Sequence, residues 1–434
     1  MLKEGYKLIG KCRICGNKDL TEVLNFGEQY LASAFVKSNE GNDSAKIKIP
    51  LTVVLCDKSK DPSACGLVQL RETAERDLMY RSYFYRSGTN PMMREALKNI
   101  VAELSLRVAL EKGDSVLDIG CNDGTMLSYF PDFTQRIGID PAKNIDRSNL
   151  DGAIKVAADY FSKAKALELS GGKLFKAVTS IAMFYDLDDP NAFVSEVESV
   201  LAPDGVWCIQ LSYLPTSLKT LNFYDVCHEH LEYYTLRVLE NLLARHNLRI
   251  FDAELNDVNG GSLRVFITKN NAPRPVSEKL QELYREEDGL NLSESAPYRE
   301  FSKKIDDLKK IVLSYIAEER KRGGTVVGLG ASTKCNVLLQ FFGIDKQMIP
   351  YLSERNPEKV GLRTLGTDIE LISEEHARQL RPGVMPVMIW FFKDELLKRE
   401  KEYLDQGGTL LFPMPYPHVV TKDGEKRLFL DNIA

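Results

Sequence analysis

The sequence contains no apolar run approaching the roughly 20 residues of a membrane-spanning helix. Its longest apolar stretch, Val384 to Phe392, carries a proline and stops at Lys393. The first twelve residues, Met1 to Cys12, carry scattered charge and lack the apolar core of a signal peptide. Basic charge is not in excess either: 57 Lys and Arg stand against 62 Asp and Glu, a net charge of −5. Such a balance makes a poor non-specific binder of nucleic acid. Eight cysteines in 434 residues are too few for a disulfide scaffold. A soluble, cytoplasmic protein with reduced thiols is expected, with neither a membrane nor a nucleic acid as partner. Any cluster of cysteines then reads as metal-binding or buried.

What is present is ordinary for a globular chain: 44% hydrophobic and 27% charged residues. The length suggests about two to four domains. Residues 1–75 form a small cysteine-bearing module. Residues 76–275 begin with a helical lead-in, 76–111, and continue as alternating strands and helices. Strands are expected at Ser115–Ile119, Arg136–Asp140, Phe175–Ala182 and Val206–Leu211, and helices at Asp123–Phe130 and Asn191–Leu201. A closing pair, Leu248–Glu254 and Ser262–Thr268, turns at Asn259-Gly260-Gly261 and adds one antiparallel strand to a parallel sheet. Residues 276–434 begin with a charged helical connector, interrupted near Pro297 and stopped at Gly323-Gly324. A second α/β alternation follows, with strands at Thr325–Leu329, Pro386–Phe391 and Thr409–Phe412 and helices at Ser332–Phe342 and Lys393–Leu404. The fold class is therefore α/β, with two doubly wound units behind a small module.

Four motifs carry chemistry. The first is the strand-to-loop run Asp118-Ile-Gly120-Cys-Asn122-Asp123-Gly124, with Asp140 ending the next strand. Glycines let backbone pass close to a ligand at the carboxyl edge of a sheet, and the following acid can bind both ribose hydroxyls. A dinucleotide site would want G-x-G-x-x-G for its pyrophosphate. An acid stands there instead, which favours a ligand without phosphate, such as S-adenosylmethionine. Asp159-Tyr160-Phe161 offers an acid and aromatic rings for its adenine, although Asp159 equally suits a helix cap. Gln210, on a later strand, faces the same edge.

The second motif pairs Cys12-x2-Cys15 with Cys56-x8-Cys65. Four thiolates close a tetrahedral zinc site with no open position, so the ion supports folding. The wide second gap requires a loop, Asp57 to Ala64, inserted within the knuckle. The third motif is His228-Glu229-His230, in a chain with only five histidines. It follows the strand that carries Gln210 and Tyr213, near the ligand edge. Imidazole suits a general base near neutral pH, and a neighbouring carboxylate orients it. The fourth is Gly328-x-Gly330-Ala331-Ser332-Thr333-Lys334. Small residues at a strand-to-helix turn expose N–H groups to an anion, and Ser332, Thr333 and Lys334 add donors and charge. A diphosphate or nucleotide is the expected ligand there.

The order of these motifs, with Asn259-Gly-Gly-Ser-Leu-Arg264 and Leu231-x-Tyr233-Tyr234 between them, resembles the three-domain nucleotide-sugar C-methyltransferases of deoxysugar pathways. The resemblance implies a class I methyltransferase domain that binds S-adenosylmethionine, an N-terminal zinc module and a C-terminal Rossmann-like domain. It implies a nucleotide-diphosphate 4-keto sugar as substrate, methylated on the carbon beside the ketone, C3, by a monomer or homodimer. His230 would be the base, His228 and Glu229 would polarise the enolate, and Tyr83 and Tyr85 would cover the site beside Ser87. Asn222 and Tyr213 would contact the sugar. This chain has Cys227 where the family often has tyrosine, so methylation of an oxygen of a sugar or another small molecule is the competing assignment. A non-catalytic zinc-module binding protein is the remote one.

Overall fold

The strand Ser115–Ile119 is buried at every position, as its Ser-Val-Leu-Asp-Ile run demands of a strand covered on both faces. In the computed structural model, which describes residues 5–37, 47–80 and 86–432, this strand sits inside a seven-stranded sheet. The order runs Leu248–Asn256, Ser262–Lys269, Leu201–Ser212, Phe175–Ile181, Ser115–Ile119, Gln135–Ile139, Ile154–Ala157. All pairs are parallel except those of Ser262–Lys269, the expected antiparallel strand. The chain reverses its winding between Ser115–Ile119 and Phe175–Ile181, so Gly120 and Ala182 flank the crevice where such sheets bind ligands. This is the class I methyltransferase arrangement.

One expected element changes. The helix anticipated over Asp123–Phe130 is a single 3₁₀ turn, Met126–Tyr129. The Asp123 carboxylate accepts bonds from the Thr125 amide (3.1 Å) and hydroxyl (2.7 Å), and Gly124 is left-handed at φ +79°. These local bonds compete with a helical first turn.

In the C-terminal unit, Val327–Leu329, Tyr351–Glu354 and Glu370–Ser373 are parallel. Bridges from Val326 to Val384 and from Leu329 to Val387 continue the sheet the other way, into Val384–Pro386 and Thr409–Phe412. The unit is thus doubly wound about Val327–Leu329. The strand expected over Pro386–Phe391 lies earlier, at Val384–Pro386, and gives way to a 3₁₀ turn at Trp390–Phe392. The helix expected over Lys393–Leu404 is split at Glu400. Two further hairpin strands, His418–Thr421 and Gly424–Arg427, follow. The connector is two helices, Glu278–Asp288 and Ala296–Lys321, with Pro297 in the first turn of the second.

The three parts exchange strands. Phe35–Lys37, from the N-terminal module, pairs with Leu362–Thr364 of the C-terminal sheet. Glu232–Tyr233, just past the H-E-H segment, pairs with Val68–Gln69 of the module. Leu51 and Val53 of the module share a core with Ile305, Leu308 and Leu338. The H-E-H segment is therefore held where all three parts meet.

Candidate active site

Four sulfurs come together first. The Sγ atoms of Cys12, Cys15, Cys56 and Cys65 all lie within 4.8 Å of one another. Cys12 and Cys65 are 3.5 Å apart and Cys15 and Cys56 3.4 Å. A tetrahedral zinc–thiolate site sets its sulfurs about 3.8 Å apart, so the donors and spacing fit zinc. Hydrogen bonding from Cys15 draws the Cys12 thiol down to about 7, and Cys12 draws Cys56 down to about 4. Cys15 and Cys65 are pushed up by the same contacts with Cys12. The inserted loop is pinned by its own aspartates: Asp57 Oδ1 accepts from the Ser59 amide (2.9 Å) and hydroxyl (2.6 Å), and Asp61 Oδ1 from the Ser63 amide (2.8 Å).

A single cleft of about 600 Å³ runs from the crevice of the seven-stranded sheet, past His230, to the Gly330–Lys334 loop. At its first end Asp118 is buried. Desolvation pushes its carboxyl up to about 7, against the hydrogen bond donated by Thr179 at 2.8 Å. The Asp140 carboxylate lines the wall, held by the amides of Asn122 and Ala142 (both 2.9 Å) and by Arg147 (3.1 Å). Gly120 is left-handed at φ +77°, and a Cβ there would stand 3.0 Å from Met183. Tyr160, Phe161 and Phe193 supply an aromatic side. A rigid acid, a bare backbone turn and stacking rings fit the adenosine of S-adenosylmethionine.

Not every expected contact lines this end. Asn122 does, but its side-chain oxygen accepts from the Ser87 amide at 3.0 Å. Asp123 is taken up by the Gly88 amide at 2.7 Å, so it braces the lead-in turn. Gly124 packs against Leu150. Asp159 bonds the Tyr160 amide at 2.8 Å, and the helix cap it was weighed for is Ser162. Gln210 lies off the main cleft, in a separate small cavity, accepting from Arg264 (2.9 Å) and Asn256 (3.1 Å).

Mid-cleft, His230 packs its ring 4.2 Å from that of Tyr185. The Asp225 carboxylate and backbone face the ring, and a neutral imidazole keeps one nitrogen as an acceptor. Burial, then the Lys334 charge, pull the imidazole down to about 4, so it is neutral at physiological pH. Glu229 and Asp186 also line the cleft, and burial pushes both carboxyls up. Glu229 Oε1 and Asp186 Oδ1 have no hydrogen-bond partner within the described residues. Tyr80 donates to the Glu229 carbonyl at 3.1 Å. Lys334 is ion-paired to Asp225, whose other oxygen accepts from Asn222 at 2.9 Å. Ser332 caps the helix Thr333–Phe342 by accepting from the Cys335 amide at 3.2 Å.

Three expectations are not brought to the cleft. His228 points the other way, its Nε2 donating to the Ile49 carbonyl at 3.0 Å, because residues 227–229 bend and turn before the short strand Glu232–Tyr233 begins. Tyr213 donates to Glu287 at 2.7 Å. Asn222 lies behind His230, in a small cavity reached through Asp225. Tyr83 and Tyr85 lie outside the described residues. Tyr185, Asp186, Asp225 and Tyr80 were not singled out by motif. Asp186 was detectable as an acid closely following the end of a buried parallel strand, where ligands bind.

Three family models tile the chain: "Putative zinc binding domain" over 12–80, "Methyltransferase domain" over 92–253 and "C-methyltransferase C-terminal domain" over 257–415. The C-methyltransferase NovU of Streptomyces niveus is 29% identical over 417 residues, spanning 96% of this chain and 98% of its own. Among solved structures, the N-methyltransferase NodS from Bradyrhizobium japonicum WM9 matches 42% of this chain and 98% of its own, at 17% identity and a TM-score of 0.31. The plantazolicin methyltransferase BpumL in complex with SAH matches 42% of this chain and 86% of its own, at 16% identity and a TM-score of 0.33.

Proposed function

The chain is a three-domain S-adenosylmethionine-dependent C-methyltransferase, and from that premise we propose that it methylates the carbon beside the ketone of a nucleotide-linked keto sugar, with His230 as the base. One observation carries the reading. The acceptor nitrogen of a neutral, buried imidazole stands in one continuous cleft between the donor pocket and the Ser332–Lys334 helix start.

The chemistry asks for two things at once. A C–H beside a carbonyl gives up its proton only where the enolate oxygen is stabilised as it forms. His230 accepts the proton, and the C–H electron pair moves to the carbonyl oxygen. Glu229, whose carboxyl burial pushes up, would donate an O–H to that oxygen when it carries a proton. Asp186, beside it, is a second donor of the same kind. S-adenosylmethionine, when bound, supplies an electrophilic methyl group. Asp118, Gly120 and Asp140 hold and orient it, and alignment is the main demand of methyl transfer. At the far end the helix start and Lys334 suit a diphosphate. His228 has no part in this scheme. Cys227 lines the cleft beside Glu229.

The test is incubation with S-adenosylmethionine and a panel of nucleotide keto sugars in deuterium oxide, followed by mass spectrometry of the sugars. The reading expects a carbon-bound methyl, and deuterium at the same carbon when the methyl donor is replaced by SAH. A methyl on oxygen without deuterium exchange overturns the enolate mechanism.

A further inference from the structure

A general base acts only within hydrogen-bond reach of the proton it takes. The outer torsion of a histidine side chain is broad and roughly two-fold, so the backbone alone does not fix the plane of its ring. His230 lines the main cleft and also borders a small cavity of about 30 Å³, walled by Leu214, Phe223 and Tyr298. Packing on that side leaves the ring room to turn. Among the described residues, the ring that meets the imidazole is that of Tyr185: the centroids lie 4.2 Å apart and the planes are tilted by 49°. Tyr185 is buried and lines the main cleft beside the base.

Tyr185 is itself held. It is the middle residue of the 3₁₀ turn Phe184–Asp186, which follows the strand Phe175–Ile181 at the switch point of the seven-stranded sheet. Phe184 is fully buried and anchors the turn, with its ring 5.6 Å from that of Trp207 and 5.3 Å from that of Tyr234. The Tyr185 carbonyl accepts from the Leu231 amide at 2.7 Å, one residue past the base. Backbone and ring thus grip the same short stretch from two directions. The turn also reaches the donor pocket. Met183, just before Phe184, packs over Gly120, and a Cβ on that glycine would stand 3.0 Å from it. The run Met183 to Asp186 therefore touches the glycine turn of the donor pocket at one end and the base at the other. Methyl transfer depends on how these two are aligned, and a displacement of about 1 Å can cost roughly a hundred-fold in rate.

We infer that Tyr185 is a positioning residue of the methyl transfer: its ring fixes the plane of the His230 imidazole, and the turn that carries it sets the base in register with the methyl donor. This rests on the reading of His230 as the base. The H-E-H segment does not supply the contact itself; it comes from the end of a strand earlier in the chain. The aromatic face does the holding, so phenylalanine serves at this position and an aliphatic side chain does not.

The experiment compares Tyr185→Phe, Tyr185→Leu and His230→Asn in the full, zinc-loaded, SAH-saturated protein. Histidine ring resonances are recorded by NMR, with His230 assigned by its loss in His230→Asn. Methyl transfer and deuterium uptake are then measured on the panel of nucleotide keto sugars. Tyr185→Phe should keep the His230 shifts and stay within about three-fold of the wild-type rate. Tyr185→Leu should move those shifts, because the ring current is gone, and lower kcat by about 10–10², with KM and SAH affinity within about two-fold. Deuterium uptake should fall by the same factor as methyl transfer. Should the leucine variant not fold, Tyr185→Met is read in the same way. Leucine as active as tyrosine overturns the inference, as does an unmoved His230 spectrum in Tyr185→Leu. Phenylalanine as damaging as leucine also overturns it and assigns the effect to the hydroxyl. Retained activity in His230→Asn removes the base reading and this role together, whereas an inactive His230→Asn beside a fully active Tyr185→Leu removes this role alone. The spectrum decides the positioning claim even where no sugar of the panel is turned over.

Discussion

Arg13 lies inside the Cys12-x2-Cys15 knuckle, and its guanidinium stands 3.6 Å from Glu232, two residues beyond His230. Both side chains are buried, at 3% and 0% exposure. The same guanidinium donates to the Leu70 carbonyl and to the Thr73 hydroxyl, each at 2.7 Å, and to Gln69 at 3.2 Å. Asn191 holds the knuckle from the other side by donating to the carbonyls of Arg13 (2.9 Å) and Ile14 (3.0 Å). The metal module is therefore wired to the strand that presents the base.

That pair is asymmetric. Burial outweighs the attraction of Arg13 and pushes the Glu232 carboxyl well up, and neither of its oxygens has a hydrogen-bond partner in the described structure. Glu232 can go neutral when its partner is lost, but the carbonyls served by Arg13 cannot. Arg13→Met should therefore destabilise by about 2–4 kcal/mol, and Glu232→Gln by about 1 kcal/mol or less. Chemical denaturation of both variants, with zinc content assayed in parallel, checks this. An equal cost for the two would show that the pair acts as a simple ion pair.

Removal of zinc should reach the active site by the same route. Stripping the four thiols frees Arg13, and with it the pairing of Glu232–Tyr233 to Val68–Gln69. The expected outcome with a chelator is loss of methyl transfer together with new amide exchange in residues 66–72 and 228–234. SAH should still bind, because Asp118 lies on, and Asp140 just after, strands of the seven-stranded sheet, which is not hydrogen-bonded to the knuckle's sheet. Hydrogen exchange and SAH titration on the same sample separate the two effects.

His230→Asn should lower kcat by about 10²–10⁴ with SAH affinity and melting temperature nearly unchanged, the usual worth of a positioned base. Glu229→Gln keeps a donor and should cost less than Glu229→Ala, whose loss of about 10²–10³ reflects a missing oxyanion donor. If Gln and Ala were equally damaging, Glu229 would be acting as a carboxylate.

Much of this site was legible in the sequence, and the residues that were not share a physical cause. Ser115–Ile119 and Thr409–Phe412 stand where their apolar runs put them, because a strand covered on both faces declares itself by composition. The four cysteines met despite the wide second gap, since chemistry fixes a thiolate cluster more firmly than spacing does. The exchanged strands Phe35–Lys37 and Glu232–Tyr233 are three and two residues long. Nothing so short has a period, and their partners lie far away in the chain. His228 sits in a turn that brings its ring to the Ile49 carbonyl, a bend that the H-E-H spacing does not announce.

Lys334 couples the two ends of the cleft. Its ammonium is paired with Asp225, and its charge helps keep the His230 imidazole down at about 4. Removing the charge relieves the repulsion of the imidazolium, so the base should become easier to protonate. Lys334→Met should therefore move the acid limb of the kcat/KM profile to higher pH, and raise KM about ten-fold or more if the ammonium contacts phosphate. A shifted limb with unchanged KM would confine Lys334 to tuning the base.

The other buried imidazole gives a pH test that owes nothing to catalysis. Desolvation lowers His228 from 6.5 to about 4, against the hydrogen bond to Ile49. The unfolded chain thus binds the proton more readily than the folded one. The stabilising contribution of the neutral ring is present in full above pH 6.5 and is lost progressively as pH falls toward about 4. Glu229, Asp186 and Asp118 shift upward and act in the opposite sense, so the total pH dependence of stability will not isolate the histidine. The difference between two proteins will. His228→Gln gives up one imidazole bond but never titrates, so the wild-type chain should melt higher at about pH 7.5, and its advantage should shrink steadily as pH approaches about 5. A constant advantage across that range would mean that His228 charges as easily folded as unfolded, which its burial against the Ile49 carbonyl does not permit.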